Sequence, residues 1–206
     1  VISQTSDRGR YALSFTSGSL LAREACIAAA LYLDLRDWQD ARAQLTQQNL
    51  LQTRTTSSAV RLARETVQRL AVFSIDELTA LVDASPSDRG LLLWVAACRR
   101  YAFIGDFAEE VVRERYLLLT PRLGHDEFDS FVNGKALWHP ELTELRESTR
   151  KKLRSNVFRM LTEAGLLESG LIQHAIPSEN VQNLLQARNP SDLRFLPIRI
   201  PVEATR

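Results

Sequence analysis

The chain has 206 residues, is 45% hydrophobic and 25% charged, and carries a formal net charge of +1. That composition suits a soluble globular protein of one large domain or two small ones, with enough apolar material for a core without disulfide staples. It excludes a membrane-crossing chain: the longest apolar run, LLLWVAAC at 91–98, is far short of the ~20 residues a span needs.

Periodicity of about 3.6 residues runs through most of the sequence, and Gly and Pro are few, so a mostly helical protein is expected. A first helix is predicted over 19–34, after the polar SFTSGS. Asp37 caps a second over 38–49, and Thr55 or Thr56 opens a third over 57–73. Ser74-Ile-Asp-Glu77 is a capping box that starts a helix to 84. Ser85 then caps, and Pro86 occupies the first position of a helix to 101. Asp106 is read as the start of another helix, to 118. Thr120-Pro-Arg-Leu-Gly124 is the candidate linker, dividing the chain into an N-terminal helical domain (1–119) and a C-terminal domain with its tail (120–206). Helices are predicted at 126–138, 140–146 and 149–164, then short strands at 166–168 and 171–175. A small helix after Pro177 and a tail punctuated by Pro190, Pro197 and Pro201 finish the chain. Cys26 and Cys98, the only cysteines, lie in apolar helical contexts. They are expected to be buried free thiols in a reducing cytosol, giving a cytoplasmic localisation.

The near-neutral total hides an uneven distribution. Residues 51–73 carry four basic groups and one acidic, 101–147 five basic and ten acidic, and 148–164 five basic and one acidic. On a helix over 149–164, Leu153, Val157, Met160, Leu161 and Ala164 share the face that packs inward. Lys151, Ser155, Arg159 and Thr162 lie opposite, with Lys152 and Asn156 on a flank. Ser148 and Thr149 sit at its start, where free N–H groups favour an anion. Gly165 ends it, and LLE-SG-LIQHAI reads as a hairpin. A short helix, a tight turn, a basic helix and a hairpin outline a winged helix-turn-helix, whose second helix enters the DNA major groove. The 57–73 helix gives a second, less specific case. Ala59, Val60, Ala63, Val67 and Leu70 form its inner stripe, and Ser57, Arg61, Arg64 and Gln68 its outer one.

The expected DNA-contacting set is therefore Arg54, Ser57, Arg61, Arg64, Gln68, Thr149, Lys151, Lys152, Arg154, Ser155 and Arg159. Lys and Arg neutralise phosphates. Arg61 and Gln68 are the candidates for base edges, since their side chains pair with guanine and adenine respectively. A solvated surface face is the alternative for either helix, as is internal pairing of the acidic 101–147 segment with the basic helices. Catalysis finds little support. His125, His139 and His174 have no Cys or carboxylate at metal-ligand spacing, and no phosphate-binding or nucleophile-elbow motif occurs. His139 in Trp-His-Pro is read as a cap between helices, and His-Asp-Glu-Phe-Asp at 125–129 as a solvated helix start. Trp38, Trp94 and Trp138 are read as core, and Arg99 and Arg100 as either a helix terminus or an extra phosphate contact.

The segments YALSFTSGSLL, LYLDLRDWQDAR, NLLQTRTTSSAVRLARE, LLLWVAACRRYAFIGDFAEEVVRERYL, FDSFVNGKALWHPELTELRESTRKKLRSNVFRMLTEAGLL and DLRFLPI together resemble the BrxA family, small proteins of the BREX bacteriophage-exclusion systems. The resemblance runs from Tyr11 to Ile198. It implies a helical, non-enzymatic protein with helix-turn-helix-like parts and DNA-binding ability. It also implies a setting among larger BREX components, which include an ATPase, a methyltransferase and a phosphatase-like protein. Double-stranded DNA is thus the expected partner, with no cofactor, no metal and no membrane. A protein–protein adaptor within the BREX complex, with incidental DNA affinity, is the alternative.

Overall fold

A computed structural model describes residues 9–15 and 18–199. Within them the chain is mostly helical, with one two-stranded antiparallel hairpin. The helices are α1 (Ala22–Leu35), α2 (Trp38–Gln47), α3 (Thr56–Leu70), α4 (Ile75–Asp83), α5 (Pro86–Arg100), α6 (Ala102–Phe107), α7 (Glu114–Leu117), α8 (His125–Ala136), α9 (Pro140–Thr143), α10 (Glu147–Glu163) and α11 (Glu179–Gln186). A π-helical stretch, Ala108–Arg113, joins α6 to α7, and a 3-10 turn, Asp192–Phe195, follows α11. The hairpin pairs β1 (Leu167–Glu168) with β2 (Leu171–Ile172) in the register Leu167↔Ile172 and Glu168↔Leu171.

Local chemistry starts several of these helices. The Asp37 carboxylate accepts from Gln39 N at 2.6 Å and Asp40 N at 2.9 Å. Thr55 Oγ1 accepts from Ser58 N at 3.2 Å. Ser74 and Glu77 satisfy each other's N–H groups at 3.2 and 2.7 Å. Ser85 accepts from Asp88 N, with Pro86 at the first helical position. Each removes an orphan donor from a helix start.

The centre of the core is α5. Its residues Gly90 to Cys98 are all buried, and α1, α3, α4, α6, α10 and the 3-10 turn pack around it. Small residues allow the closest approaches. A Cβ on Gly90 would sit 3.2 Å from Ala164 Cα, and one on Gly105 would sit 3.0 Å from Cys98 O. Trp94 is fully buried, and its Nε1 donates to Phe195 O at 3.0 Å. Both cysteines are free, Cys98 buried and Cys26 half-buried, and burial pushes each thiol above its ordinary pKa.

Several expectations are corrected here. Asp106 does not start a helix: Tyr101 precedes α6, and Asp106 lies within it, accepting from Lys135 Nζ at 2.9 Å and from Tyr11 Oη. The hairpin strands are shorter than expected: Gln173 N still donates to Leu166 O in the hairpin register, but Ala175 N turns away to Pro197 O. The 120–124 stretch bonds to the hairpin. Leu123 N donates to Gly170 O at 2.9 Å and Ile172 N to Pro121 O at 2.8 Å, so it edges the hairpin. Trp138 is 79% exposed, Val60 is 40% exposed and Asn156 is buried. Trp38 is half-buried and stacks on Tyr32 at 4.0 Å. His139 does hold the N-cap position of α9, between two helices, but without a side-chain cap bond: it stacks under Tyr11 at 3.8 Å with Nδ1 3.2 Å from Glu141 Oε1. Pro201 lies outside the described residues.

Arg99 leaves the end of α5 into a cluster of carboxylates. Its guanidinium donates to Asp192 Oδ2 and to both Glu77 oxygens, and Arg188 donates to Glu77 Oε2 at 2.9 Å. It is therefore a clasp between α4, α5 and the C-terminal turn, not a free phosphate contact. Burial pushes the Glu77 carboxyl up, but hydrogen bonds from Arg99, Arg188 and the Ser74 N–H outweigh it and hold the pKa down at about 2. A depressed carboxyl contributes stability that is full above its ordinary value of 4.5 and is lost as the pH falls through the folded value. Acid unfolding followed by circular dichroism should show this loss between pH 4.5 and about 2 in the native chain and not in Glu77→Gln. That variant should also be roughly 3 kcal/mol less stable at neutral pH, because Arg99 keeps its charge in a buried site with one carboxylate fewer.

Candidate nucleic-acid interface

The two basic helices present their charge in different ways. The connection from α2 to α3 is closed by Asn49, which donates from Nδ2 to Thr53 O at 3.0 Å and accepts at Oδ1 from Thr53 N at 2.9 Å. Leu51 anchors it in the core. On α3, Ala59, Ala63, Thr66, Val67 and Leu70 point inward, and Ser57, Arg61, Arg64 and Gln68 are exposed on the opposite face. Arg54, in the turn before it, is exposed as well. The segment's only carboxylate, Glu65, is also inside. It pairs with Arg69 at 2.8 Å, and it accepts from Tyr101 Oη at 2.8 Å. Burial, then the Glu65 charge, push that phenol up to about 12. Arg69 also donates to Ser19 O at 2.6 Å. The fourth cation of the segment and its only anion thus cancel in the interior. Arg54, Arg61 and Arg64 remain outside with no carboxylate at ion-pair distance among the described residues.

Between α2 and α3 runs a groove of about 540 Å³, lined by Trp38, Gln39, Arg42, Ala43, Thr46, Gln47, Val60 and Val67. Arg42 is exposed beside it. The sequence reading passed over Arg42. Its signal was available, since it lies on the flank of the stripe that the buried Ala41 and Leu45 form on α2.

On α10, Leu153, Asn156, Val157, Met160 and Leu161 are buried. Thr149, Lys151, Lys152, Ser155 and Arg159 are exposed, and Arg154 is half-buried on the rim facing α8. Carboxylates attend most of its cations. Lys151 lies 3.5 Å from Glu147, and Arg159 lies 3.0 Å from Glu163. Asp129 of α8 takes Arg150 Nε on one oxygen at 3.1 Å and Arg154 Nη1 on the other at 2.6 Å. The acidic segment therefore does pair internally with this helix, through Asp129 of α8 and through Glu147 at the start of α10 itself. Ser155 Oγ donates to Lys151 O, so only its lone pairs face outward. The hairpin beyond α10 turns through Ser169 and Gly170, with φ of 51° and 77°, and carries Glu168 but no cation. Arg122, bridged to Leu171, supplies one beside it. That pairing spans 49 positions and left no sequence signal.

Among the described residues no hydrogen bond or ion pair links the two expected sets directly, yet backbone groups ahead of α1 brace both helices. Ser19 O accepts from Arg69 of α3, and Leu20 N donates to Glu163 of α10 at 2.7 Å. Phe15 O accepts from Asn156 Nδ2 at 3.0 Å. Among the described residues no group of three or more His, Cys, Asp or Glu is placed to hold a metal ion. No helix there is long and apolar enough to cross a membrane.

A BREX protein BrxA of Escherichia coli O9:H4 (strain HS) is 29% identical over 152 residues, which is 74% of this chain and 71% of the relative. A BREX protein BrxA of Paramagnetospirillum magneticum (strain ATCC 700264 / AMB-1) is 27% identical over 158 residues, 77% of this chain and 79% of that one. The crystal structure of an uncharacterized protein from Magnetospirillum magneticum superposes with a TM-score of 0.76 at 23% identity, covering 91% of this chain and 98% of the other, a likeness of fold. The model of the BrxA family matches residues 9–189. The chain belongs to the BrxA family.

Proposed function

We propose that the protein is a non-catalytic, double-stranded DNA-binding component of a BREX phage-defence system, holding the duplex mainly through phosphates with α3 and α10. The observation that carries this reading is the outer face of α3. Ser57, Arg61, Arg64 and Gln68 stand exposed together, and among the described residues no carboxylate lies at ion-pair distance from their guanidinium groups. Unpaired guanidinium is free to displace phosphate counterions, and Ser and Gln add neutral donors that reach phosphate or base edges. The α2–turn–α3 pair supports a helix-turn-helix, and α10 with its following hairpin supports a winged one. The two BREX relatives set the context.

A mobility-shift or anisotropy titration across salt tests the reading. If Arg54, Arg61, Arg64 and Lys152 supply four contacts, log K against log salt should have a slope of roughly −3.6. Arg61→Ala with Arg64→Ala should make it shallower by roughly 1.8 and weaken every duplex tested. Gln68→Ala should chiefly relax any preference for adenine. No duplex binding at low salt, or a double variant with native slope, overturns the reading. Metal-dependent DNA cleavage lost on mutation of His125, Asp126 or Glu127 overturns its non-catalytic part.

Lys151→Ala, Lys152→Ala and Arg159→Ala remove charge from a face that supports no core. Each should change stability by no more than ~0.5 kcal/mol, while their combination weakens binding about equally across sequences. Thermal unfolding and the same titration check both halves of that statement.

A second reading, an adaptor within the BREX complex, is favoured by Leu137 and Trp138, each 79% exposed at the end of α8. Large exposed apolar groups side by side suit a protein partner. Trp138→Ser should abolish capture of a purified BREX component under the adaptor reading and leave duplex binding unchanged under the DNA reading.

A further inference from the structure

One carboxylate holds Arg154, an arginine that the DNA-binding reading would put on phosphate, together with its neighbour Arg150. Asp129 lies on α8, one turn in from its start, and both its oxygens are occupied by α10: Oδ1 by Arg150 Nε and Oδ2 by Arg154 Nη1. Arg150 is further tied to the Asp129 main-chain carbonyl at 2.7 Å. The arginine side chains are 22% and 15% exposed and the Asp129 side chain 36%, so the cluster sits at the rim of the α10 face, within reach of solvent. Carboxylate and phosphate compete for guanidinium with the same paired hydrogen-bond geometry. A phosphate approaching this rim must therefore exchange with Asp129 or meet its charge. Among the described residues no comparable clamp acts on Arg54, Arg61 or Arg64.

We infer that Asp129 is a positioning residue for DNA binding, a built-in counter-ion that holds Arg150 and Arg154 off the duplex and sets how strongly α10 engages it. This rests on the DNA-binding reading and deepens it. Contact is made first by α3, whose guanidinium groups need no exchange. The α10 rim contributes only when a phosphate replaces Asp129. The arrangement keeps affinity low and salt dependence shallow for a protein whose basic helices would otherwise supply two further contacts. Arg154, which among the described residues hydrogen-bonds Asp129 alone, is the more easily released. Arg150 keeps its hold on the main-chain carbonyl.

The test uses the full chain and a short duplex, with affinity measured by anisotropy at a series of salt concentrations. Asp129→Ala removes the counter-ion. Asp129→Asn keeps the shape and one acceptor but removes the charge, and serves if the alanine variant loses its fold by circular dichroism. Either should bind several-fold more tightly at low salt. The slope of log K against log salt should steepen by ~0.9 for one released arginine and up to ~1.8 for two. Adding Arg150→Ala and Arg154→Ala to the Asp129 variant should return the slope to the native value. A purely structural Asp129 would lower thermal stability and leave the slope untouched, and that result overturns the inference. So does a gain that persists without the two arginines. If neither the native chain nor the Asp129 variants bind duplex, the DNA-binding reading itself falls. If the native chain binds and the variants match it, only the role of Asp129 falls.

Discussion

A helix apolar on every side cannot lie on a surface, and α5 is such a helix from Gly90 to Cys98. It has to be wrapped, and the wrapping fixes where everything else goes. Helices α1, α3, α4, α6 and α10 and the C-terminal 3-10 turn each lay a face on it. Gly90 and Gly105 are where backbone must come nearest, and there a side chain would collide with Ala164 or the Cys98 carbonyl. Arg99 leaves this core only by taking Glu77 and Asp192 with it. A buried cation stripped of hydration requires such partners. Once α5 is covered, α3 and α10 each have one face committed inward, and their basic faces are left at the periphery.

The placement of carboxylates, more than the number of cations, decides what those faces can do. Arginine appears in three settings along a nearly neutral chain. Arg69 and Arg99 are interior and paired, and serve the fold. Arg150 and Arg154 sit at a rim, held by Asp129. Arg54, Arg61 and Arg64 are exposed, with no carboxylate of the described residues beside them. The exposed pairs of α10, Lys151 with Glu147 and Arg159 with Glu163, lie between these cases. Such pairs contribute little to stability and are screened by salt, so they yield to a stronger anion. The positive potential therefore belongs first to α3, although α10 carries the denser run of basic letters.

What the sequence made legible was local. Asp37, Thr55, the Ser74–Glu77 box and Ser85 with Pro86 act on N–H groups two or three residues away, and residue order alone reveals such bonds. The hairpin and the amphipathic faces of α3 and α10 were legible for the same reason. What was missed depends on distant partners. Asp106 looks like a helix start, yet its partners are Tyr11 and Lys135, 95 and 29 positions away. Asn156 looks like a polar flank and is buried because it holds the Phe15 carbonyl, 141 positions away. Trp138 has the composition of a core residue but falls in the turn after α8, where nothing covers it. At the candidate interface the exposed arginines of α3 were legible. The Asp129 clamp was not, because charge counts over segments do not show which carboxylate meets which cation.

The chain ahead of α1 gives the two basic helices common points of attachment at Phe15, Ser19 and Leu20. Asn156 and Glu163 of α10 hold its Phe15 carbonyl and Leu20 N–H, and Arg69 of α3 holds its Ser19 carbonyl. Hydrogen bonds to charged groups are the stronger kind, and Arg69, 3% exposed, makes its own away from water. Glu163 has a second task, since its other oxygen pairs with Arg159. Displacing Arg159 toward a phosphate would leave Glu163 attached to Leu20 N, so α10 can lose a surface ion pair without losing its tie to the segment that also braces α3. A tie of that kind lets the outward cations change partners while the helices that carry them stay where the core has put them.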